Sequence, residues 1–414
     1  METLDFGYNL LEGVVLETHF SKLSRLTTLK ASQNRLRFEP NPSWIPPFQC
    51  EIIELSHWHL GSKFPQWLKF QNKLSVLDIS DAGISDVMPT WFLNLPAQFE
   101  KLNLSFNQLT GEISNLNVTD TIDLSSNRFT GPLPRSFVSL IMLDLSENHF
   151  SGSVPAWIGD KLSNLILDLA RNNISGTIPK CFNKLGAMAT KQKIYNKVFT
   201  PKIYDFPFYL SELLVLKGRE DEYGHTLGLV TSIDLSANSL IGEIPKEIGS
   251  LVGLLSLNFS RNFLTGRIPN NIGNMELMES LDLSMNRLNG EIPPSFSKLN
   301  FLNHFNVSYN NLTGQIPTST QLQSFENLSY VGNHLCGPPL TKNCTSKGIL
   351  TDATNNGSSS DGNKVNWLYV SIILGFVMGF WGVVAPLFFF RSWRIAYYQK
   401  LDHICGKLYV FWAT

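Results

Sequence analysis

The feature that most constrains this chain is a short segment that returns at a nearly constant interval. The pattern Leu-x-Leu-Ser-x-Asn, or a close variant, ends at Asn127, Asn148, Asn172, Asn238, Asn262, Asn286 and Asn310. The last three intervals are 24 residues each. Weaker copies end at Asn9, Asn34, Trp58, Ala82 and Asn107, where Trp58 and Ala82 replace the asparagine. A fixed period of this length indicates a stack of twelve similar structural units.

Each copy is predicted to form one turn of a leucine-rich-repeat solenoid, an α/β repeat fold with a parallel sheet on its concave side. Side chains alternate along a strand, so the leucines point into the core and their neighbours face outward. In the copy that ends at Asn286, the inward residues are predicted to be Met278, Leu281 and Leu283. The residues predicted to face solvent are Glu279, Ser280, Asp282, Ser284 and Met285.

The asparagine of each copy lies where the chain leaves the strand. Its amide group can pair with loop backbone groups that would otherwise be buried without hydrogen bonds. Trp58 and Ala82 interrupt this row in two adjacent turns, which predicts a local weak point there.

A second signal, Leu-x-Gly-x-Ile-Pro or a variant of it, follows many of the asparagines. Gly permits a tight bend and Pro fixes φ while it removes a hydrogen-bond donor. The runs begin at Leu109, Phe129, Ile174, Leu240, Leu264, Leu288 and Leu312. With these runs the sequence resembles, from Met1 to its C-terminus, plant receptor-like proteins with extracellular leucine-rich repeats. The resemblance is strongest to the group related to fungal-xylanase elicitor receptors; a repeat protein of another kingdom is the alternative.

The resemblance and the breaks in the repeat predict seven segments. They are residues 1–182 (N-terminal block of repeats), 183–229 (island domain), 230–322 (C-terminal block), 323–345 (C-terminal cap), 346–366 (juxtamembrane stalk), 367–390 (transmembrane helix) and 391–414 (cytoplasmic tail).

The island is predicted because the interval from Asn172 to Asn238 is 66 residues long. An insertion of this length is usually functional or disordered, and its aromatic and apolar residues argue against disorder. It resembles the island domain of receptor-like proteins, including the pair Lys217-Gly218 and the later Tyr223. The resemblance implies that the island helps to bind ligand or positions the last repeats for a co-receptor. The alternative is a packed strand pair that only bridges the two blocks.

Two cysteines, Cys336 and Cys344, directly follow the last repeat, where an exposed terminal turn needs a cap. The resemblance implies a disulfide between them. Cys50 and Cys181 have no obvious partners and are predicted to be buried thiols.

Nine Asn-x-Ser/Thr sequons precede the hydrophobic segment near the C-terminus, and we expect N-glycosylation if this side enters the secretory pathway. They are Asn103, Asn117, Asn173, Asn258, Asn306, Asn311, Asn327, Asn343 and Asn356. Glycans on Asn103, Asn258 and Asn306 would project from the concave sheet. Ligand contacts are therefore expected to avoid those positions.

Residues 367–390 carry no charge and would form a helix of about 36 Å, which is long enough to cross a bilayer. Arg391, Arg394 and Lys400 follow at once, so the positive-inside rule places the tail in the cytosol and the repeats outside. This predicts a single-pass type I protein of the plasma membrane. Small residues on one helix face allow close approach of a partner helix, and the candidates are Gly375, Gly379 and Gly382. The resemblance implies that this face pairs with an adaptor receptor-like kinase; the alternative is that glycine is simply common in membrane helices.

Catalytic chemistry is not predicted. Residues 391–414 are too few for a kinase and contain none of the kinase motifs, and the nucleophile-elbow and phosphate-loop motifs are missing from the sequence. His57 and His59 lack a third metal ligand, so no cofactor is expected. Acidic residues that recur once per turn are predicted to be structural surface positions, namely Asp123, Asp144, Asp234 and Asp282. The formal net charge of −1 argues against a nucleic-acid partner.

Specificity is predicted to lie in the outward column immediately before each asparagine, because this column is chemically mixed while its neighbours are mostly Ser and Asp. The candidate ligand-facing residues are Phe106, Glu147, Arg171, Arg261, Met285 and Tyr309. The alternative is surface variation without a function.

Met1 already occupies an apolar position of a repeat, so we expect an N-terminally truncated form that lacks a signal peptide and an N-terminal cap. The resemblance implies a kinase-lacking receptor of plant defence that binds an extracellular peptide, protein or glycan elicitor. It would signal through the adaptor kinase at the membrane helix and a co-receptor kinase at the last repeats. The alternatives are a non-signalling inhibitor of a microbial wall-degrading enzyme and an inactive truncated paralogue.

Overall fold

The computed structural model describes residues 1–114, 116–134, 140–161, 166–186, 188–190, 212–216, 219–223 and 230–344. Within these residues, each of the twelve copies forms one turn of a coil of strand, loop and, in most turns, short helix. We number them turns 1 to 12 in chain order, so that turn 1 contains Asn9 and turn 12 contains Asn310. The predicted leucine-rich-repeat solenoid with a parallel sheet is confirmed.

The concave side is one parallel sheet of twelve strands, one from each turn and in the order of the turns. Adjacent strands pair in register, as where Ser256, Leu257 and Asn258 lie opposite Ser280, Leu281 and Asp282. The strands are Thr3–Asp5, Thr28–Lys30, Ile52–Glu54, Val76–Asp78, Phe99–Asn103, Val118–Asp123, Met142–Asp144, Ile166–Asp168, Ser232–Asp234, Ser256–Asn258, Ser280–Asp282 and His304–Asn306.

A second parallel sheet forms after the asparagine loops of turns 5 to 10, where Gly-containing runs follow. Its six strands are Thr110–Glu112, Arg128–Pro132, His149–Ser153, Asn173–Gly176, Ser239–Glu243 and Phe263–Thr265. Smaller parallel sheets join Glu12–Val15 with Arg35–Phe38, and Asn289–Gly290 with Asn311–Gln315 and His334–Cys336.

Short helices complete most turns, and many begin directly after the proline of the Gly-x-Ile-Pro run. Pro179, Pro245 and Pro269 have φ of −67°, −64° and −63° and precede the first helical residue. A proline has no N–H to leave unpaired at such an end. The 3₁₀-helices are Glu17–Phe20, Gln66–Phe70, Lys180–Lys184, Lys246–Ser250, Asn270–Asn274, Pro294–Lys298 and Asn327–Ser329, and the α-helices are Thr90–Leu93, Trp157–Lys161 and Thr320–Ser324.

The core is one continuous column of apolar side chains that runs through all the turns. Met278, Leu281 and Leu283 are fully buried in it, as predicted. Two residues predicted to face solvent, Ser280 and Ser284, are only 6% exposed. They do lie on the outer side of the strand, but the neighbouring strands on both sides are about 4.8 Å away and cover such small side chains.

Candidate binding surface

A ridge of twelve residues runs along the concave side, one from each turn, immediately before the asparagine position. Its members are Tyr8, Gln33, His57, Asp81, Phe106, Ser126, Glu147, Arg171, Ala237, Arg261, Met285 and Tyr309. All twelve have φ between 47° and 63°, the left-handed region. β-Branched residues are genuine outliers in this region, and the ridge contains none. The candidate ligand-facing column is therefore also the place where the backbone turns out of the strand.

The asparagines hold this turn in place. In turn 10, the Nδ2 group of Asn262 donates to the carbonyl oxygens of Phe259 (3.2 Å) and of Leu235 in the preceding turn (2.9 Å). The Oδ1 atom of Asn262 accepts from the backbone N–H of Leu240, also in the preceding turn, at 3.0 Å. The side-chain amide of each asparagine thus stabilises its own loop and links that loop to the preceding turn.

The same pattern continues once beyond the twelve predicted copies. Asn333 donates to the carbonyl oxygen of Val307 (2.9 Å) and accepts from the N–H of Leu312 (2.9 Å). Gly332, at the ridge position before it, has φ of 76°. This thirteenth copy was not predicted from the sequence, although its distance of 23 residues from Asn310 is a usable signal.

At Trp58 and Ala82, where the sequence predicts a weak point, other groups make some of the bonds that the asparagine makes elsewhere. The indole Nε1 of Trp58 donates to the carbonyl oxygen of Ala31 in the preceding turn at 2.7 Å, which is the bond that an asparagine amide makes elsewhere. At Ala82, the backbone carbonyl oxygen accepts from the N–H of Leu60 at 3.0 Å and replaces the missing Oδ1. Both side chains are at most 1% exposed, so the core is also filled there.

The ridge forms one wall of a groove of about 820 Å³ that extends from Tyr8 to Arg261. Its floor is a column of serines, such as Ser125 and Ser260, beside a column of acidic and amide residues, such as Asp144 and Asn258. Short side chains on the floor leave room for a ligand to approach the sheet closely.

Four of the six predicted ligand-facing residues line this groove, namely Phe106, Glu147, Arg171 and Arg261. Phe106 is 46% exposed and is the one phenylalanine among the residues that line the groove. Met285 and Tyr309 lie further along the ridge and are 43% and 54% exposed. The exposed Val331 and Leu328 of the C-terminal cap follow them.

Within the described residues, an ion pair and a close contact between an imidazole and a carboxylate connect neighbouring ridge residues. The guanidinium of Arg171 pairs with the carboxylate of Glu147, which also accepts a hydrogen bond of 2.8 Å from the hydroxyl of Ser126. The Nε2 atom of His57 lies 3.6 Å from a carboxylate oxygen of Asp81. These contacts orient charged side chains on either side of Phe106, and the sequence did not predict them.

Three of the four acidic residues predicted to be surface positions, Asp123, Asp144 and Asp234, are at most 6% exposed, because strands on both sides cover them. The fourth, Asp282, is half-buried. Asp168, in the same column, is 9% exposed. Burial, with the neighbouring carboxylates as the next cause, raises the pKa of Asp144 to about 8 and that of Asp168 well above its usual range. The pKa of Asp234 is also raised by burial, against hydrogen bonds from Ser236 and Asn258 that lower it.

The sequons differ in how accessible the structure leaves them. Five of the asparagines are exposed, namely Asn117, Asn173, Asn311, Asn327 and Asn343. Asn103 is only 8% exposed on the concave floor, and the Nδ2 of Asn258 donates to Asp234 at 2.8 Å. Asn306 is half-buried on the same floor, and Asn356 lies outside the described residues.

Cys336 and Cys344 are joined by a disulfide, with Cα atoms 5.1 Å apart. Cys50 is a fully buried free thiol whose pKa burial raises to about 12. Cys181 is also free but only half-buried, in contrast to its predicted burial, because it lies on a helix at the outer side of its turn.

The predicted island contains a described antiparallel hairpin, in which Glu212–Leu216 pairs with Arg219–Tyr223. Lys217 and Gly218 lie outside the described residues, as do segments 346–366, 367–390 and 391–414 with Gly375, Gly379 and Gly382. In the part of the chain that the structure describes, no helix combines the length and the apolar character needed to cross a membrane.

Comparison with known sequences identifies the same repeat. The Leucine Rich Repeat family matches residues 120–140, 139–160, 165–185, 229–251, 253–275 and 278–299. The chain is 39% identical to receptor-like protein EIX2 of Solanum lycopersicum and 38% identical to receptor-like protein EIX1 of the same plant. These matches cover 96% and 94% of this chain but 52% and 51% of the relatives. The chain thus spans about half the length of the relatives it matches.

Among solved structures, the chain is similar to the leucine-rich-repeat ectodomain of the Arabidopsis receptor kinase HAESA. In complex with the peptide hormone IDA, that ectodomain gives a TM-score of 0.63 at 29% identity, over 83% of this chain and 51% of that one. In complex with IDA and the co-receptor SERK1, it gives a TM-score of 0.61 at 28% identity, over the same shares.

Proposed function

Because the chain belongs to the plant leucine-rich-repeat receptor-like proteins, we propose that it is a kinase-lacking receptor whose repeats bind an extracellular ligand in plant defence. The observation that carries this proposal is the ridge beside the groove. A rigid ladder of hydrogen bonds holds twelve side chains in one row, and several of them are large and exposed. The names of the relatives and the peptide hormone bound to HAESA support a receptor role.

Phe106 is the proposed anchor of the ligand. It is the largest wholly apolar side chain that lines the groove, and aromatic and Arg side chains contribute a large share of the energy at interfaces. The Glu147–Arg171 pair on one side and the His57–Asp81 pair on the other would fix the orientation of polar ligand groups. A peptide, protein or glycan elicitor could offer such groups.

The last turns are the proposed contact for a co-receptor kinase. Met285, Tyr309, Val331 and Leu328 are all at least 39% exposed and lie at the C-terminal end of the ridge and in the cap beside it. The HAESA structure with SERK1 supports this kind of partner. The island, residues 183–229, would help to position these turns or contribute to ligand binding.

The signal would leave the receptor through its membrane helix. We propose that residues 367–390 span the plasma membrane with residues 391–414 in the cytosol, as a type I protein. The face of Gly375, Gly379 and Gly382 would then pair with the helix of an adaptor receptor-like kinase, because small residues allow close packing.

A matched pair of phenylalanines tests the ligand site. The full chain, expressed in leaf cells, is exposed to a panel of microbial wall and protein elicitors, and the oxidative burst is recorded. For the active elicitor, Phe106→Ala should raise the half-effective dose about tenfold or more. Phe263→Ala, which removes a phenylalanine of 44% exposure on the second sheet, should leave it unchanged. Equal dose curves for the two variants would contradict the ridge as the ligand site.

Co-purification tests the adaptor separately. The full chain should bring down a receptor-like kinase in the absence of elicitor, and Gly375→Leu with Gly379→Leu should abolish this. If the wild-type chain captures no kinase, the chain is better explained as a non-signalling binding protein.

A further inference from the structure

An unbroken run of four carboxylates crosses the middle of the concave sheet. In the register of the strands, Asp123 lies opposite Asp144, Asp144 opposite Asp168, and Asp168 opposite Asp234. Adjacent strands of a sheet are about 4.8 Å apart. The run ends at an asparagine on each side, at Asn103 and Asn258.

The run is buried and is held by hydrogen bonds from its own loops. Each carboxylate accepts the backbone N–H two residues further on, at 2.8 to 2.9 Å. The amide of Asn258 also donates to Asp234. On the ridge above the run, Arg171 is paired with Glu147. The other charged or imidazole side chains that line the described part of the groove are His57, Asp78, Asp81, Lys101 and Arg261. Asp282 lies beyond Asn258 on the next strand and also acts on Asp234.

Carboxylates at this spacing in a covered site repel one another strongly, so the run holds protons that isolated carboxylates would release. A carboxyl group that keeps its proton can donate a hydrogen bond toward the carboxylate of the next strand. This hydrogen bond then holds together two strands whose carboxylates would otherwise repel each other.

The run also spans the one place where the stack is interrupted. Asp168 belongs to turn 8, the last before the insertion of residues 183–229, and Asp234 belongs to turn 9, the first after it. The concave strands of the two blocks therefore meet at this pair. We propose that protons held within the run, on Asp144, Asp168 and Asp234, clamp the joint between the two repeat blocks, so that the joint is tight in acid and loosens as the pH rises.

The direction follows from proton linkage. The folded-state pKa values of Asp144, Asp168 and Asp234 are raised above the ordinary Asp value of about 3.9. The folded chain therefore binds more protons than the unfolded chain between these values. The stability that the run contributes is fully present below about pH 4, and it is lost as the pH rises through the pKa of Asp144, at about 8.

Other turns show which residue can replace the aspartates of the run without a change in the fold. Asn occupies the same position in three other turns, as Asn103, Asn258 and Asn306, and there it accepts the same backbone N–H. The double variant Asp144→Asn with Asp168→Asn should therefore fold. Asp282→Asn is the matched control, because Asp282 has the same hydrogen bond to Ser284 but stands between two asparagines.

The test measures thermal unfolding of the full chain from about pH 5 to about pH 9, where linkage predicts the effect. The midpoint temperature of the wild type and of Asp282→Asn should decrease from about pH 5 to about pH 9. In the double variant this decrease should be at most half as large. An undiminished fall in the double variant would overturn the proposal.

Hydrogen exchange of the wild type provides a second measurement that needs no variant. After correction for the intrinsic pH dependence of exchange, protection of the strands Ile166–Asp168 and Ser232–Asp234 should decrease toward alkaline pH. Protection of the strand His304–Asn306, which contains Asn306 at the corresponding position, should not. Equal behaviour of the three strands would also overturn the proposal.

Discussion

The substitution Asn262→Ala tests whether the asparagine ladder holds the ridge. Three carbonyl oxygens lose the amide as a donor, but each keeps another donor: Leu235 from Asn238, Phe259 from Asn286, and Ser260 from the N–H of Ala237. Their loss should therefore be small, about 1 kcal/mol in total.

The larger effect of Asn262→Ala concerns the backbone N–H of Leu240. Its acceptor is the Oδ1 atom of Asn262, and both residues are at least nine-tenths buried. A buried donor left without a partner costs about 2 kcal/mol. Together with the carbonyl contribution, the free energy of unfolding should decrease by about 3 kcal/mol.

Urea unfolding of the full chain, followed by tryptophan fluorescence, measures this loss. Hydrogen exchange of the peptide that contains Leu240 should show the loss of protection at the same place. Asn303→Ala, the same change at an exposed asparagine, should alter the free energy of unfolding by no more than about 0.5 kcal/mol. If Asn262→Ala costs less than about 1 kcal/mol, or no more than Asn303→Ala, the ladder does not have the role assigned to it.

Three further substitutions or measurements follow from the same structure. Ala237→Val places a β-branched residue in the left-handed region, where such residues are outliers, and should lower the free energy of unfolding in urea by about 1 kcal/mol or more, whereas Ala237→Gly should not lower it. Gly159→Ala should lower the thermal midpoint clearly, with a loss of about 1–3 kcal/mol, because the new Cβ would overlap the carbonyl oxygen of Cys181. Glycopeptide mass spectrometry of the chain from plant cells should find Asn311 occupied and Asn103 bare; glycan on Asn103 would show that the floor opens before modification.

Features that depend on spacing within one turn can be predicted from the sequence. The leucines and the asparagines recur at fixed distances, so the periodicity alone assigns both the core column and the ridge column. Phe106 and Arg261 were correctly placed on one face for this reason. The left-handed conformation of these residues could not be deduced, because the period identifies a position but does not give its backbone angles.

Features that depend on the neighbouring turn are harder to predict. Alternation places Ser284 and Asp144 on the outer face, but their burial arises from strands that are 20 or more residues away in the chain. The bond by which Trp58 replaces the asparagine amide could not be predicted for the same reason. Only the three-dimensional stack shows that an indole N–H reaches the carbonyl oxygen of Ala31 in the preceding turn.

The conformation of the ridge bears on whether its mixed composition has a function. A left-handed backbone favours Gly, Asn and Asp, and other L-residues cost roughly 1–2 kcal/mol there. If stability alone determined these positions, those three residues would dominate the ridge. Only Asp81 among the twelve belongs to this group, while the cap, which lies beyond the ridge, has Gly332 at the equivalent place. The ridge therefore places large aromatic and charged side chains where the backbone conformation disfavours them, which is the composition expected if the proposed role of the ridge in binding is correct.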